Sequence, residues 1–110
     1  MFHVPKIVAA LIVGLAASTV AQADTKAMII IKDHKFQPAE IKVPKGERIQ
    51  LTIDNQDATP EEFESHELRV EKVIPGGSRG VVRFGPLEPG TYPFFGEFNE
   101  ATAQGKVIVE

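Results

Sequence analysis

Glu47-Arg48-Ile49-Gln50-Leu51-Thr52-Ile53-Asp54-Asn55 alternates apolar and polar side chains from Arg48 to Asp54. In an extended chain successive side chains point to opposite faces, so Ile49, Leu51 and Ile53 share one face and Arg48, Gln50, Thr52 and Asp54 the other. The stretch predicts a strand over residues 47–55, one face in a core and the other in water. Outward from it the chain keeps to short β-branched runs punctuated by Pro and Gly, with no helix-period segment of useful length. Strands are predicted at 27–32, 40–43, 68–74, 80–84, 91–95 and 105–109. Met28-Ile29-Ile30-Ile31 is continuous enough to suggest burial on more than one side, with Met28 filling core. Phe36-Gln37-Pro38 starts a turn, and further turns fall at Pro44-Lys45-Gly46, Pro75-Gly76-Gly77-Ser78 and Pro86-Leu87-Glu88-Pro89-Gly90. Seven or so short strands at this spacing predict an all-β, antiparallel two-sheet sandwich with Greek-key connections; a small closed barrel is the competing architecture.

Residues 1–23 read as a secretory signal peptide: Lys6, an apolar run from Ile7 to Val20, and the small-x-small site Ala21-Gln22-Ala23. The alternative is a retained anchor, but the run is shorter than the roughly 20 residues that cross a bilayer. The expected mature domain is 24–110, which is 87 residues (110 less 23), room for one core and not two. Without Lys6, 11 of the 12 basic residues face 15 acidic ones, a net charge of −4. Such a surface argues against nucleic acid as partner. There is no cysteine, which excludes disulfides, thiolate zinc sites, iron–sulfur clusters and cysteine nucleophiles.

The chemistry-bearing stretch is Glu61-Glu62-Phe63-Glu64-Ser65-His66-Glu67-Leu68. If it is extended throughout, Glu62, Glu64, His66 and Leu68 share one face, and Glu61, Phe63, Ser65 and Glu67 the other. Four carboxylates this close repel one another, and a bound cation would relieve them. A solvated acidic loop is the alternative. Ser65 adjoins His66 and points to the opposite face, which gives no support to serine hydrolysis. His34, in Asp33-His34-Lys35, reads as an exposed polar residue. Phe94, Phe95 and Phe98 are candidates for core or for an apolar rim. Arg69, Lys72, Arg79 and Arg83 either offset the acidic end or meet a partner.

Gly90-Thr91-Tyr92-Pro93-Phe94-Phe95-Gly96, followed by Ala103-Gln104-Gly105-Lys106-Val107-Ile108-Val109, resembles the C-terminal signature of the cupredoxin family. Phe36-Gln37-Pro38, Ile41-x-Val43-Pro44-x-Gly46 and Ile49-x-Leu51-x-Ile53-x-Asn55 resemble its early strands. The resemblance implies a cupredoxin-like Greek-key sandwich, with His66 where the first histidine ligand sits. It also implies that Gly96 stands at the cysteine position, about Asn99 at the second histidine and about Ala103 at the methionine. A type 1 copper centre needs the thiolate and cannot be built.

Thr59 to Leu68, Val73-Ile74-Pro75-Gly76 and Phe95-Gly96-Glu97-Phe98-Asn99-Glu100 are together similar to the cupredoxin-like domain of bacterial periplasmic iron uptake. That resemblance implies a periplasmic accessory protein that binds iron and/or copper. It would deliver the ion to an inner-membrane iron permease or another periplasmic uptake component, or assist ferrous oxidation. The expected ligands are His66, Glu64 and Glu97, with Glu62 and Glu100 as outer ligands or solvated charges. Carboxylates with one imidazole favour Fe(III), Fe(II), Mn(II) or Cu(II) over Cu(I). The alternatives are a metal-free interaction module on the same scaffold, or a Cu(II)-binding protein. His66 could equally be a structural histidine holding the end of the sandwich through a backbone hydrogen bond.

Overall fold

The computed structural model describes residues 24–110. The signal-peptide reading of 1–23 falls outside the described residues. Nine strands are described: β1 Thr25–Lys32, β2 Lys35–Gln37, β3 Glu40–Val43, β4 Ile49–Asn55, β5 Glu61–Ser65, β6 Val70–Ile74, β7 Arg79–Phe84, β8 Gly90–Gly96 and β9 Gln104–Val109. One 3-10 turn, Glu97–Asn99, lies between the last two. They form a four-stranded sheet in the order β2-β1-β4-β7 and a five-stranded sheet in the order β3-β9-β8-β5-β6. Two separate sheets make a sandwich, not a closed barrel.

The sheets are mixed, whereas the sequence predicted antiparallel pairing. β1 runs parallel to β4, from Thr25↔Ile49 to Ile31↔Asn55, and β3 runs parallel to β9. A parallel pair needs a crossover connection. Between β1 and β4 it is supplied by β2 and β3, which carry the chain into the other sheet and back.

β4 shows why the alternation in 47–55 is decisive. Ile49, Leu51, Ile53 and Asn55 are fully buried while Gln50, Thr52 and Asp54 lie outward. β1 alternates too: Ile29 and Ile31 are fully buried, but Met28 is 43% exposed. The core role expected of Met28 is thus corrected, because the outer face of this sheet has no covering layer. Phe36, expected to open a turn, lies instead in β2 beside Ile31 and is buried.

Three aromatic rings meet between the sheets, Phe94 lying 5.1 Å from Phe36 and 4.9 Å from Phe63 between ring centroids. Such pairs add about 0.5–1.5 kcal/mol beyond their buried area. Gly105 makes room for them, since a Cβ there would lie 2.4 Å from the Phe94 ring. Asn55 is the buried polar tie. Its amide donates to the carbonyls of Thr59 at 2.9 Å and Ile74 at 3.0 Å and accepts from the Asp57 N–H at 3.0 Å. It thereby fixes the loop that delivers β5 and the end of β6. Among the described residues no helix is long and apolar enough to cross a membrane.

Candidate metal centre

β5 carries the acidic stretch, with one carboxylate turned inward and two outward. Glu61, Phe63 and Ser65 face the core and are buried, while Glu62 and Glu64 stand on the outer face of the five-stranded sheet. β6 and β8 flank β5, with Glu64 opposite Glu71 on one side and Phe95 on the other, and Phe63 opposite Gly96. One residue beyond Gly96 the alternation turns Glu97 outward again, next to Glu62.

The outcome is a compact set of oxygens. Glu62, Glu64 and Glu97 each present a carboxylate oxygen within 4.8 Å of the other two. Oxygens on opposite sides of a hard cation are separated by about 4 to 5 Å at the usual bond lengths, so one ion can span the three. Glu62 is only 8% exposed, and its Oε1 is buried without a hydrogen-bond partner. Electrostatics registers the crowding. Hydrogen bonding of its neutral form to Glu71, burial, and the neighbouring Glu97 push the Glu62 carboxyl up from 4.5 to about 7. Glu64 is also raised, first by its contact with Glu97 and then by burial, with His66 pulling weakly the other way.

His66 does not join this set. If the stretch were extended throughout, the sequence would put it on the face of Glu62 and Glu64, ahead of a separate strand expected from Leu68 to Ile74. β5 instead ends at Ser65, and 66–69 form the turn of the β5–β6 hairpin. Ser65 causes the break. Its Oγ donates to the Pro93 carbonyl at 2.7 Å and accepts from the Leu68 N–H at 3.1 Å, while Arg69 takes a left-handed conformation with φ 56°. The His66 side chain is 73% exposed, with Nδ1 4.0 Å from Glu64 Oε1 and its ring 5.6 Å from that of Phe95. It borders a shallow depression of about 250 Å³ lined also by Glu64, Arg69 and Glu71.

Glu100 is exposed at the end of the 3-10 turn and lies outside the carboxylate set; its carbonyl accepts from Gln104 Nε2 at 2.7 Å. His34 is exposed in the β1–β2 turn, 3.4 Å from Thr59 Oγ1. The basic residues form no single row. Arg79 and Arg83, on the other sheet, pair with Asp54 and Asp24, each at 3.6 Å.

Two residues of the site escaped the sequence reading. Glu71 is visible only once the hairpin register sets it opposite Glu64. Glu61 was placed with Phe63 and Ser65 on the face opposite Glu62 and Glu64 but given no task there. It is 2% exposed. Its Oε1 accepts from the N–H of Glu62 at 3.0 Å and of Phe98 at 2.9 Å, and its Oε2 from Asn99 Nδ2 at 2.6 Å. A Cβ on Gly96 would lie 2.5 Å from Glu61 Cδ and 2.7 Å from Ala103 Cβ. Glu61, not His66, is therefore the side chain that enters the space bounded by Gly96, Asn99 and Ala103, the three positions where the resemblance puts the lost copper ligands.

The profile of the cupredoxin-like domain family matches residues 6–109. The chain is 51% identical over 82 residues to the uncharacterized protein RP394 of Rickettsia prowazekii; the match covers 74% of this chain and 65% of that relative's length. Auracyanin A, a blue copper protein of Chloroflexus aurantiacus, has a similar structure with a TM-score of 0.69 at 15% identity, over 80% of this chain and 100% of its own. The metal-binding domain of the Cu(I)-exporting P-type ATPase of Streptococcus pneumoniae gives 0.66 at 23% identity, over 77% and 84%. An apo copper-binding protein solved by NMR gives 0.68 at 22%, over 81% and 92%. With its two-sheet sandwich and a sequence that the family's profile spans almost from end to end, the chain belongs to the cupredoxin-like domain family.

Proposed function

We propose that this chain is a metal-binding accessory protein of a bacterial iron transport system, exported to the periplasm, that holds a hard cation among Glu62, Glu64 and Glu97. The observation that carries the reading is Glu62 Oε1: a buried carboxylate oxygen with no partner, beside two further carboxylates. Leaving such a group buried and unpaired is costly, and a cation supplies the missing partner. The donor set is all oxygen, with Glu71 in contact with Glu62 and His66 beside Glu64. Carboxylate oxygens suit Fe(III), Fe(II) or Mn(II) and disfavour Cu(I); Cu(II) is accommodated if His66 turns inward. The domain's task would be to present iron to a permease or to another uptake component. Phe98 and Val73, 51% and 48% exposed, adjoin Glu97 along the chain and Glu62 across the hairpin, and offer that partner an apolar contact beside the ion.

The test is thermal unfolding of residues 24–110, stripped of metal and then with Fe(III) citrate, Fe(II), Mn(II), Cu(II) or Zn(II). An ion at a hundredfold excess over its Kd stabilises the fold by about 2.7 kcal/mol. A shift with iron that disappears in Glu62→Gln and Glu97→Gln supports the reading. A shift with Cu(II) alone that disappears in His66→Ala replaces iron by copper. No shift with any ion leaves the sandwich as a metal-free interaction module.

A further inference from the structure

Three hydrogen bonds converge on the carboxyl of Glu61, and all three come from residues within the acidic set or no more than two positions from it. Oε1 accepts the backbone N–H of Glu62 in β5 and the backbone N–H of Phe98 in the 3-10 turn; Oε2 accepts Asn99 Nδ2. One side chain thus grips the chain immediately after Glu97 and at Glu62 itself. The grip lies on the inward side of the sheet, and the carboxylates it serves lie on the outward side. Among the described residues no other backbone hydrogen bond joins the 3-10 turn to β5, although Gly96 just before it pairs with Phe63 in the sheet. The turn's remaining backbone bonds run to Ala103 and Thr102, within its own loop.

We propose that Glu61 is a positioning residue that sets the separation between Glu97 and the Glu62–Glu64 pair, and through it the affinity and choice of ion. The inference rests on the metal-binding reading above. Glu97 is exposed and follows a glycine, so its own packing does not fix it. The loop from Gly96 to Ala103 is closed at its base by the Gly96 N–H to the Ala103 carbonyl at 2.9 Å and joins β5 there through the Phe63–Gly96 pair, which leaves the orientation of the 3-10 turn beyond Gly96 unfixed. Glu61 removes that freedom. Its lack of exposure and its packing against Gly96 keep water from competing for the three bonds. Residues that orient ligands in this way typically change metal affinity by about 10- to 100-fold when removed.

The substitutions are Glu61→Ala, Glu61→Gln and Asn99→Ala in residues 24–110, with Fe(II) under anaerobic conditions and Cu(II) each titrated alone. Amide hydrogen exchange is followed in the ion-free proteins. Glu61→Ala is expected to weaken ion binding about 10- to 100-fold and to speed exchange at Phe98. Glu61→Gln keeps an acceptor for both backbone N–H groups, and its amide can pair with Asn99 after that side chain turns over. It should therefore restore affinity to within about threefold, a rescue that removing a ligand charge would not allow. Asn99→Ala, which deletes one bond of the three and leaves the core intact, should give an intermediate loss and serves if Glu61→Ala does not fold.

Wild-type affinity in Glu61→Ala, or in Asn99→Ala if it stands in, overturns the positioning role while the metal site stands. Unchanged exchange at Phe98 does the same. Equal weakening in Glu61→Gln and Glu61→Ala overturns it in favour of Glu61 acting by its charge. No binding of either ion by the wild type overturns the metal-binding reading, and the positioning role with it.

Discussion

Glu62 is where the cost of the site is concentrated, and that cost depends on pH. Its carboxyl is raised in the fold from 4.5 to about 7, because Glu71, burial and Glu97 all favour the neutral form. A group raised in this way supports folding fully below about pH 4.5 and loses that support as the pH climbs through about 7. The ion-free domain should therefore lose thermal stability across this window relative to Glu62→Gln, which cannot ionise. Melting curves of both proteins from pH 4 to pH 8 check it; parallel curves would contradict the crowding. Metal binding should tighten over the same interval, as the ion displaces the Glu62 proton. Alternation alone put Glu62 and Glu64 on one shared face in the sequence, and Glu61 on the opposite one with Phe63. The use of Glu61 was not legible, because a carboxylate gains a role in a core only from the donors it meets there. Those donors, Phe98 and Asn99, lie 37 and 38 positions along the chain.

The β5–β6 hairpin turns on Ser65. The sequence reading left residues 61–67 open between an extended segment and an acidic loop and began the next strand at Leu68, because Ser65-His66-Glu67-Leu68 contains no Gly or Pro to mark a turn. What stops the strand is a side chain bonding to its own backbone three residues on, together with a carbonyl from β8. A spacing rule sees neither. Ser65→Ala leaves the buried Leu68 N–H and the Pro93 carbonyl without that partner, and should cost about 1–3 kcal/mol by chemical denaturation. Hydrogen exchange should rise first in β6, the edge strand that the turn holds in register. Asn55 is the corresponding tie for the opposite end of the hairpin. Asn55→Ala strips a partner from the Ile74 carbonyl and should cost a similar amount. In contrast to these ties, most strands were legible to within one or two residues, since burial of one face imposes a period of two wherever β-branched residues alternate.

At one open side of the whole sandwich stands Lys72, exposed at the edge of the five-stranded sheet. Opposite Phe63 in the edge strand β6, it lies on the inward-facing row, and its aliphatic stem passes close to Gly80 of the other sheet. An inward-pointing charge on an edge strand is a common guard against pairing with another chain. Glu71→Val with Lys72→Val would leave Val70 to Ile74 as an unbroken apolar edge, and sedimentation should then show concentration-dependent association absent from the wild type. At the opposite edge of the same sheet, β3 has β9 as its only neighbour, Ile41 pairing with Val107 and Val43 with Val109. Those partners are made more than sixty residues apart on a chain that emerges from the ribosome in order. Until residues 104–109 arrive, Ile41 and Val43 have no strand to lie against. The larger sheet must then be completed by inserting β9 between two segments already made. Pairing of β3 is therefore non-local and late, and its two apolar side chains lack a strand partner until β9 has been made.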